Sequence, residues 1–96
     1  MLQIEHKNNQ NFGEFYARYD GEIAGLMQYE WQNFLTFIIV HTEVESKFEG
    51  KGIGKHLLAA AVDFARTEGK KIKASCPFAK SLLEKDESVN DVFIKD

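Results

Sequence analysis

The reading of the fold turns on Ile38-Ile39-Val40-His41-Thr42-Glu43-Val44, a short polar interval, and then Glu49-Gly50-Lys51-Gly52-Ile53-Gly54-Lys55-His56-Leu57-Leu58. The segment from Phe34 to Val44 is the most apolar in the chain, and its start is apolar on both faces, as expected of a central strand. Strict alternation puts Leu35, Phe37, Ile39, His41 and Glu43 on one face and Phe34, Thr36, Ile38, Val40, Thr42 and Val44 on the other. From Gly52 the apolar period changes from two to about 3.6 residues. Ile53, Leu57, Leu58, Ala61, Val62 and Ala65 then form one stripe, with Lys55, His56, Asp63 and Arg66 on the other side. Gly69 stops this helix as a C′ glycine does, and Lys70-Lys71 follow where the helix dipole favours cations.

Between strand and helix lies the sharpest motif, three glycines at alternate positions: Gly50, Gly52 and Gly54. Absent side chains permit positive φ and let a ligand approach the backbone. The first turn of a helix presents N–H groups without internal partners and a partial positive charge, so a phosphate suits it. Lys51 and Lys55 add charge at the rim. The plain alternative is a glycine-rich turn that only starts a helix; the strand-to-helix context favours an anion cradle. The spacing does not match the P-loop. It also does not match the dinucleotide fingerprint, and Ile72–Cys76 carries no acidic residue for a ribose.

Outward from this core, Leu2, Ile4 and His6 alternate with polar residues as a first strand, ended by Asn8-Asn9-Gln10-Asn11. Phe15–Tyr19 and Glu22–Trp31 flank Asp20-Gly21, a hairpin turn signal, with Gly25 a candidate bulge. Past the helix, Ile72–Cys76 reads as a strand ending at Pro77, Ser81–Asp86 as a helical turn or two, and Val92-Phe93-Ile94 as a final strand. The order β-β-β-β-α-β-α-β makes Phe34–Val44 and Ile72–Cys76 a parallel pair joined by a right-handed crossover. A meander before one βαβ unit is a mixed α/β sheet and not a doubly wound fold.

The bulk numbers agree with a small globular unit: 96 residues, 44% hydrophobic and 28% charged, expected to form one domain over residues 1–96. A net charge of -3 and only two arginines, Arg18 and Arg66, provide no basic face for nucleic acid. The single Cys76 excludes an internal disulfide and suits a reducing cytoplasm. The longest apolar stretch, Leu35–Val40, is too short to cross a bilayer, so no membrane partner is expected.

These segments resemble the GNAT acyltransferases, which carry Gln/Arg-x-x-Gly-x-Gly/Ala at this junction. Gly52-Ile53-Gly54 match the pattern, and Glu49 stands in the Gln/Arg place. The chain is more similar to a small single-domain GNAT-like subgroup, through His41-Thr42-Glu43-Val44, the loop from Glu49, and Cys76-Pro77-Phe78. The resemblance implies acetyl-CoA as acyl donor, lying between the splayed ends of two parallel strands, with an amine as acceptor and no metal. Main chain around Glu43 and Val44 would pair with the pantetheine arm. The segment Glu49, Gly50, Lys51, Gly52, Ile53, Gly54 and Lys55 would hold the pyrophosphate, chiefly by its amides, and Cys76, Pro77 and Phe78 would also contact the coenzyme, with Cys76 close to the thioester. Two departures stand out: Glu49 replaces a cation or amide, and the stretch before Phe15 is too short for the two helices that shape the acceptor side in larger members.

Cys76 is a candidate acyl-accepting nucleophile, proton donor to the leaving sulfur, or disulfide partner of coenzyme A; the plain alternative is a small buried hydrophobe. His41 is a candidate base for the acceptor amine, and Glu43 a candidate base or amine attractor, against the ordinary reading of a strand end meeting solvent. His6 and His56 read as surface residues, and Phe78, Tyr16, Tyr29 and Trp31 as aromatics without an assigned acceptor role. Two functions are carried forward: acetyl transfer to an amine by a monomer or weak homodimer, and a coenzyme-binding or sensing module without efficient turnover. A third, an interaction domain using its exposed sheet, has no specific sequence feature behind it.

Overall fold

The computed structural model describes residues 1–95. Its strands are β1 (Leu2–Asn8), β2 (Phe12–Tyr19), β3 (Glu22–Trp31), β4 (Thr36–Val44) and β5 (Lys71–Ala74), with helices α1 (Ile53–Glu68) and α2 (Pro77–Lys85). The sheet runs β1-β2-β3-β4-β5, antiparallel as far as β4 and parallel between β4 and β5. This is the expected mixed sheet with one βαβ crossover. Asp20 and Gly21 both take positive φ, 49° and 88°, which gives the turn the twist that a two-residue hairpin needs.

Several boundaries differ from the sequence reading, each for a local reason. β2 begins at Phe12 because β1 and β2 continue pairing to Asn8↔Gly13. Pro77 opens α2 rather than merely ending a strand: a proline is preorganised for the first helical position, where no N–H partner is needed. β5 stops at Ala74, since the amides of Ser75 and Cys76 both turn to Ile39 O, at 3.0 and 3.2 Å. The expected final strand reduces to one parallel bridge, Ile72↔Phe93, with hydrogen bonds from Ile72 N to Val92 O and from Ile94 N to Ile72 O. Arg66 ties this closing segment to α1 through Asp91, at 2.9 and 3.1 Å.

Gly25 is not the bulged residue. The register jumps from Ala17↔Gly25 to Arg18↔Ile23, so Ala24 is the extra one. Gly25 instead permits a close approach: a Cβ there would stand 2.7 Å from Glu43 O and 3.1 Å from Ile53 Cγ2. It brings the end of β4 and the start of α1 against β3, which places the glycine loop.

α1 buries Ile53, Leu57, Leu58, Ala61, Val62 and Ala65, the stripe read from the periodicity, and Gly54 besides. It packs on Phe15, Met27, Tyr29, Phe37 and Ile39 of the sheet, and α2 adds Ala79 and Leu83 to the same cluster. Both helices therefore lie on one face. The other face carries Glu5, Glu14, Tyr16, Gln28, Glu30 and His41, which alternate with the buried set and are half-exposed or exposed.

His6 corrects the surface reading. It follows Leu2 and Ile4 on the inward side of β1, stacks on Phe15 at 4.1 Å, meets Phe64 edge-on at 4.5 Å, and hydrogen-bonds through Nε2 to Tyr29 Oη at 2.6 Å. Burial lowers the His6 pKa below 6.5 and pushes the Tyr29 phenol up to about 12. With a depressed folded pKa, the unfolded chain binds the proton more readily. The stability held above pH 6.5 is thus lost as the pH falls through the lowered value. Urea midpoints should drop between neutral and mildly acid pH, and His6→Phe should flatten that drop. An equal slope in both proteins would assign it to other groups.

Candidate active site

β4 and β5 pair from Thr36↔Lys71 to Ile39↔Ala74 and then part. β4 continues to Val44 with only β3 beside it, so one edge of residues 40–44 has no strand partner among the described residues. Opposite that edge the chain passes through Ser75 and Cys76 into α2. The fork is pinned at its base by the two amides on Ile39 O and by Thr42 Oγ1, 3.4 Å from Cys76 Sγ. Cys76 is 6% exposed, sits at the N-cap of α2, and faces the helix side of the sheet.

A β-bulge decides what surrounds this fork. The β3–β4 register moves from Gln28↔His41 to Tyr29↔Ile39, leaving Val40 as the extra residue of β4. A bulge of this kind re-aims the residues beyond it and leaves its own main-chain groups outside the ladder. The expected alternation therefore fails past Ile39. Phe37 and Ile39 are buried, but the residues continuing on the helix side are Thr42, against Cys76, and Val44, packed on the core. His41 and Glu43 do share a face, as read from the sequence, but it is the helix-free one. There His41 Nε2 lies 3.1 Å from Glu43 Oε1, with side-chain exposures of 49% and 61%. Cys76 and the His41–Glu43 pair stand on opposite faces of β4 and do not form one constellation.

The glycine loop is open. Gly50 and Gly52 have φ of 83° and 72°, and a Cβ at Gly50 would meet nothing within 4 Å, at Gly52 only His56 Cδ2 at 3.9 Å. No side chain caps α1, and its first turn holds no acidic residue. Its first main-chain hydrogen bond is His56 N to Gly52 O, at 3.0 Å. Among the described residues, no protein acceptor takes a hydrogen bond from the amides of residues 50–55. Glu49 differs: its amide already donates to Ser46 O at 3.2 Å, and its carboxylate, an anionic acceptor, has no donor to give a phosphate. Lys51 reaches back over the Tyr19 ring at 5.0 Å, while Lys55 borders a groove of about 540 Å³ between α1 and α2.

Gly54 has another role from that first read. A Cβ on it would meet Phe78 Cζ at 2.6 Å, so its missing side chain admits the Phe78 ring rather than a ligand. Phe78, 40% exposed, and Pro77 at the first position of α2 thus adjoin the start of α1. The Phe78 contact brings the Cys76–Phe78 segment against the start of α1, where the loop ends. Sequence reasoning missed Val40, the bulged residue, and Thr42, which meets Cys76 at the fork. No turn residue marks the bulge, and the only hint was the arrival of polar side chains at 41 and 43.

A meandering sheet whose parallel pair opens onto an uncapped, glycine-led helix defines the acyl-CoA N-acyltransferase fold. The chain belongs to the GCN5-related N-acetyl-transferase family, whose profile matches residues 14–92. It is 30% identical over 86 residues to protein NATD1 of Xenopus tropicalis, covering 88% of this chain and 77% of that one. Among solved structures it is similar to a GCN5-like protein of Staphylococcus aureus, with 36% identity, a TM-score of 0.73, and coverage of 96% of this chain and 89% of that one. A GNAT family acetyltransferase of Elizabethkingia anophelis, solved with acetyl-CoA bound, shares the fold at 24% identity and a TM-score of 0.64, over 78% of this chain and 52% of that one.

Proposed function

We propose that this chain is an N-acetyltransferase that takes its acetyl group from acetyl-CoA and passes it to an amine. The observation that carries the reading is the set of amides at residues 50–55, free of protein acceptors and gathered at the mouth of a strand fork. The donor supplies an activated thioester; the chain supplies binding and proton handling. Amides of Gly50, Gly52, Gly54 and Lys55 hold the diphosphate, and the free edge of β4 near Glu43 and Val44 pairs with the pantetheine amides. The groove that starts at Lys55 receives the nucleotide end.

At the fork, the unladdered main chain of Val40 polarises the thioester carbonyl. His41, oriented by Glu43 at 3.1 Å, takes the proton from the acceptor amine on the open face. The amine nitrogen bonds to the carbonyl carbon, the C–S bond breaks, and the departing thiolate takes a proton. In this reading Cys76, on the other side of β4, gives that proton, or first takes the acetyl group as coenzyme A thiol leaves and then passes it to the amine. The free thiol suits a cytoplasmic setting.

Release of free coenzyme A thiol on adding a panel of amines tests this reading. Turnover above the amine-free rate is the expected result; acetyl-CoA binding without transfer to any amine would leave a coenzyme-binding module. That second reading draws on one feature, the short β1–β2 connection across residues 9–11, which leaves the sheet's outer face uncovered. Mass spectrometry after incubation with acetyl-CoA addresses the thiol. An acetyl adduct is expected on the wild type and not on Cys76→Ala, and an identical adduct on both would remove the covalent route.

A further inference from the structure

Cys76 is far more enclosed than His41 or Glu43, and its backbone is fixed on both sides. Its amide donates to Ile39 O at 3.2 Å, and its carbonyl accepts from Lys80 N at 2.9 Å. The residue stands at the N-cap of α2, but its thiol does not cap the helix. Among the described residues, the hydrogen-bonding group that the sulfur meets is Thr42 Oγ1, at 3.4 Å. Thr42 pairs across the sheet with Met27, which is fully buried, so it points to the helix side. It is itself half-exposed, on the stretch of β4 beyond the last β5 pair at Ile39↔Ala74.

The bulge at Val40 produces this contact. Unbroken alternation from Phe37 and Ile39 would carry His41 to the sulfur's side of β4; the inserted residue brings Thr42 there instead. A hydroxyl has one proton to donate and lone pairs to accept another, so it can take a proton on one side as it gives one on the other. A sulfur enclosed this far reaches the fork through its hydrogen-bonded neighbour. Resting on the transfer reading above, and within it on the route through Cys76, we propose that Thr42 is the positioning residue of the thiol and carries its proton. The step is a thiol–thioester exchange. Cys76 Sγ bonds to the acetyl carbonyl carbon, and the bond from that carbon to the coenzyme sulfur breaks. The Cys76 proton passes to Thr42 Oγ1 as the Thr42 hydroxyl proton passes to the departing sulfur. Coenzyme A leaves as the thiol, Thr42 ends as a neutral hydroxyl, and no outside acid or base is consumed.

Thr42→Val removes the hydroxyl and keeps a β-branched strand former, whereas Thr42→Ser keeps the hydroxyl. The readout is the rate at which acetyl-CoA leaves an acetyl adduct on Cys76, followed by mass spectrometry with no amine present. Thr42→Val is expected to slow that rate by about a hundredfold, the lower end of what a positioned proton-transfer group contributes. Thr42→Ser should retain most of it. Acetyl-CoA affinity by calorimetry should be alike in wild type and both variants, which puts the loss in the step and not in binding. Wild-type speed in Thr42→Val overturns the proposal. A Thr42→Ser as slow as Thr42→Val also overturns it, because the methyl group would then be the part that matters. A second measurement needs no coenzyme. The thiolate is the reacting form, so alkylation of Cys76 by iodoacetamide at neutral pH should be slower in Thr42→Val than in wild type or Thr42→Ser. Equal alkylation rates overturn the proposal. A wild type that releases coenzyme A thiol to amines without ever carrying an adduct overturns it too, and leaves the transfer reading standing. Absence of release with every amine tried sinks the transfer reading itself.

Discussion

Gly52→Val is expected to reduce acetyl-CoA affinity by more than a hundredfold while the domain stays folded. Gly52 is the N-cap of α1 at φ 72°, a left-handed conformation that costs a residue with a side chain about 1–2 kcal/mol. Space is not the difficulty, because the nearest atom to a Cβ is His56 Cδ2 at 3.9 Å. The backbone would relieve its strain by leaving the left-handed region, and that rotates the amides on either side of residue 52. Hydrogen bonds to a charged group contribute about 1.5–3 kcal/mol each, so losing two exceeds a hundredfold. The local strain is small against the packing of α1, whose buried stripe is untouched. Calorimetry with acetyl-CoA reads the affinity, and circular dichroism the fold. Unchanged affinity in a folded variant would falsify the cradle. Gly54 separates packing from ligand approach: Gly54→Ala drives a Cβ toward Phe78 Cζ, 2.6 Å away, and should lose stability by about 1–3 kcal/mol of overpacking. Phe78→Ala in the same chain should recover most of that loss, and a double variant no better than Gly54→Ala would show that the ring is not what the glycine accommodates.

Phe37→Ala should have the largest effect on stability. Phe37 is 0% exposed and sits in the aromatic cluster, 4.6 Å from Tyr29, 5.4 Å from Trp31 and 5.7 Å from Phe64 by ring centroids. Emptying such a site costs about 3–5 kcal/mol, the transfer loss plus the cavity. At about 0.05–0.15 kcal/mol per residue, a chain of this size has about 5–14 kcal/mol in total. The variant should therefore lose at least a fifth of its stability and unfold at a much lower urea concentration, followed by the fluorescence of the adjacent Trp31. Phe34→Ala is the control: Phe34 is 83% exposed, and its loss should change stability by less than about 0.5 kcal/mol. Equal midpoints for the two variants would mean that the aromatic cluster does not hold the sheet to α1.

What the sequence determined alone is periodic or local. The α1 stripe, the Asp20-Gly21 hairpin and the glycine loop each rest on contacts within a few residues, where side-chain period and permitted φ suffice. The family resemblance rested on His41–Val44, the loop from Glu49 and Cys76–Phe78, and agrees with the profile match over residues 14–92. Tertiary structure decided the rest. The bulge at Val40 arises from the register between β3 and β4, and it turned His41 and Glu43 away from Cys76. The close approach at Gly25 and the ring of Phe78 over Gly54 join residues far apart in the chain. His6 became an interior residue only through Phe64 of α1 and Tyr29 of β3. Alternation along one strand shows which side chains share a face, but a one-residue insertion against its neighbour exchanges those faces. That exchange depends on the paired strand and cannot be read from either segment alone.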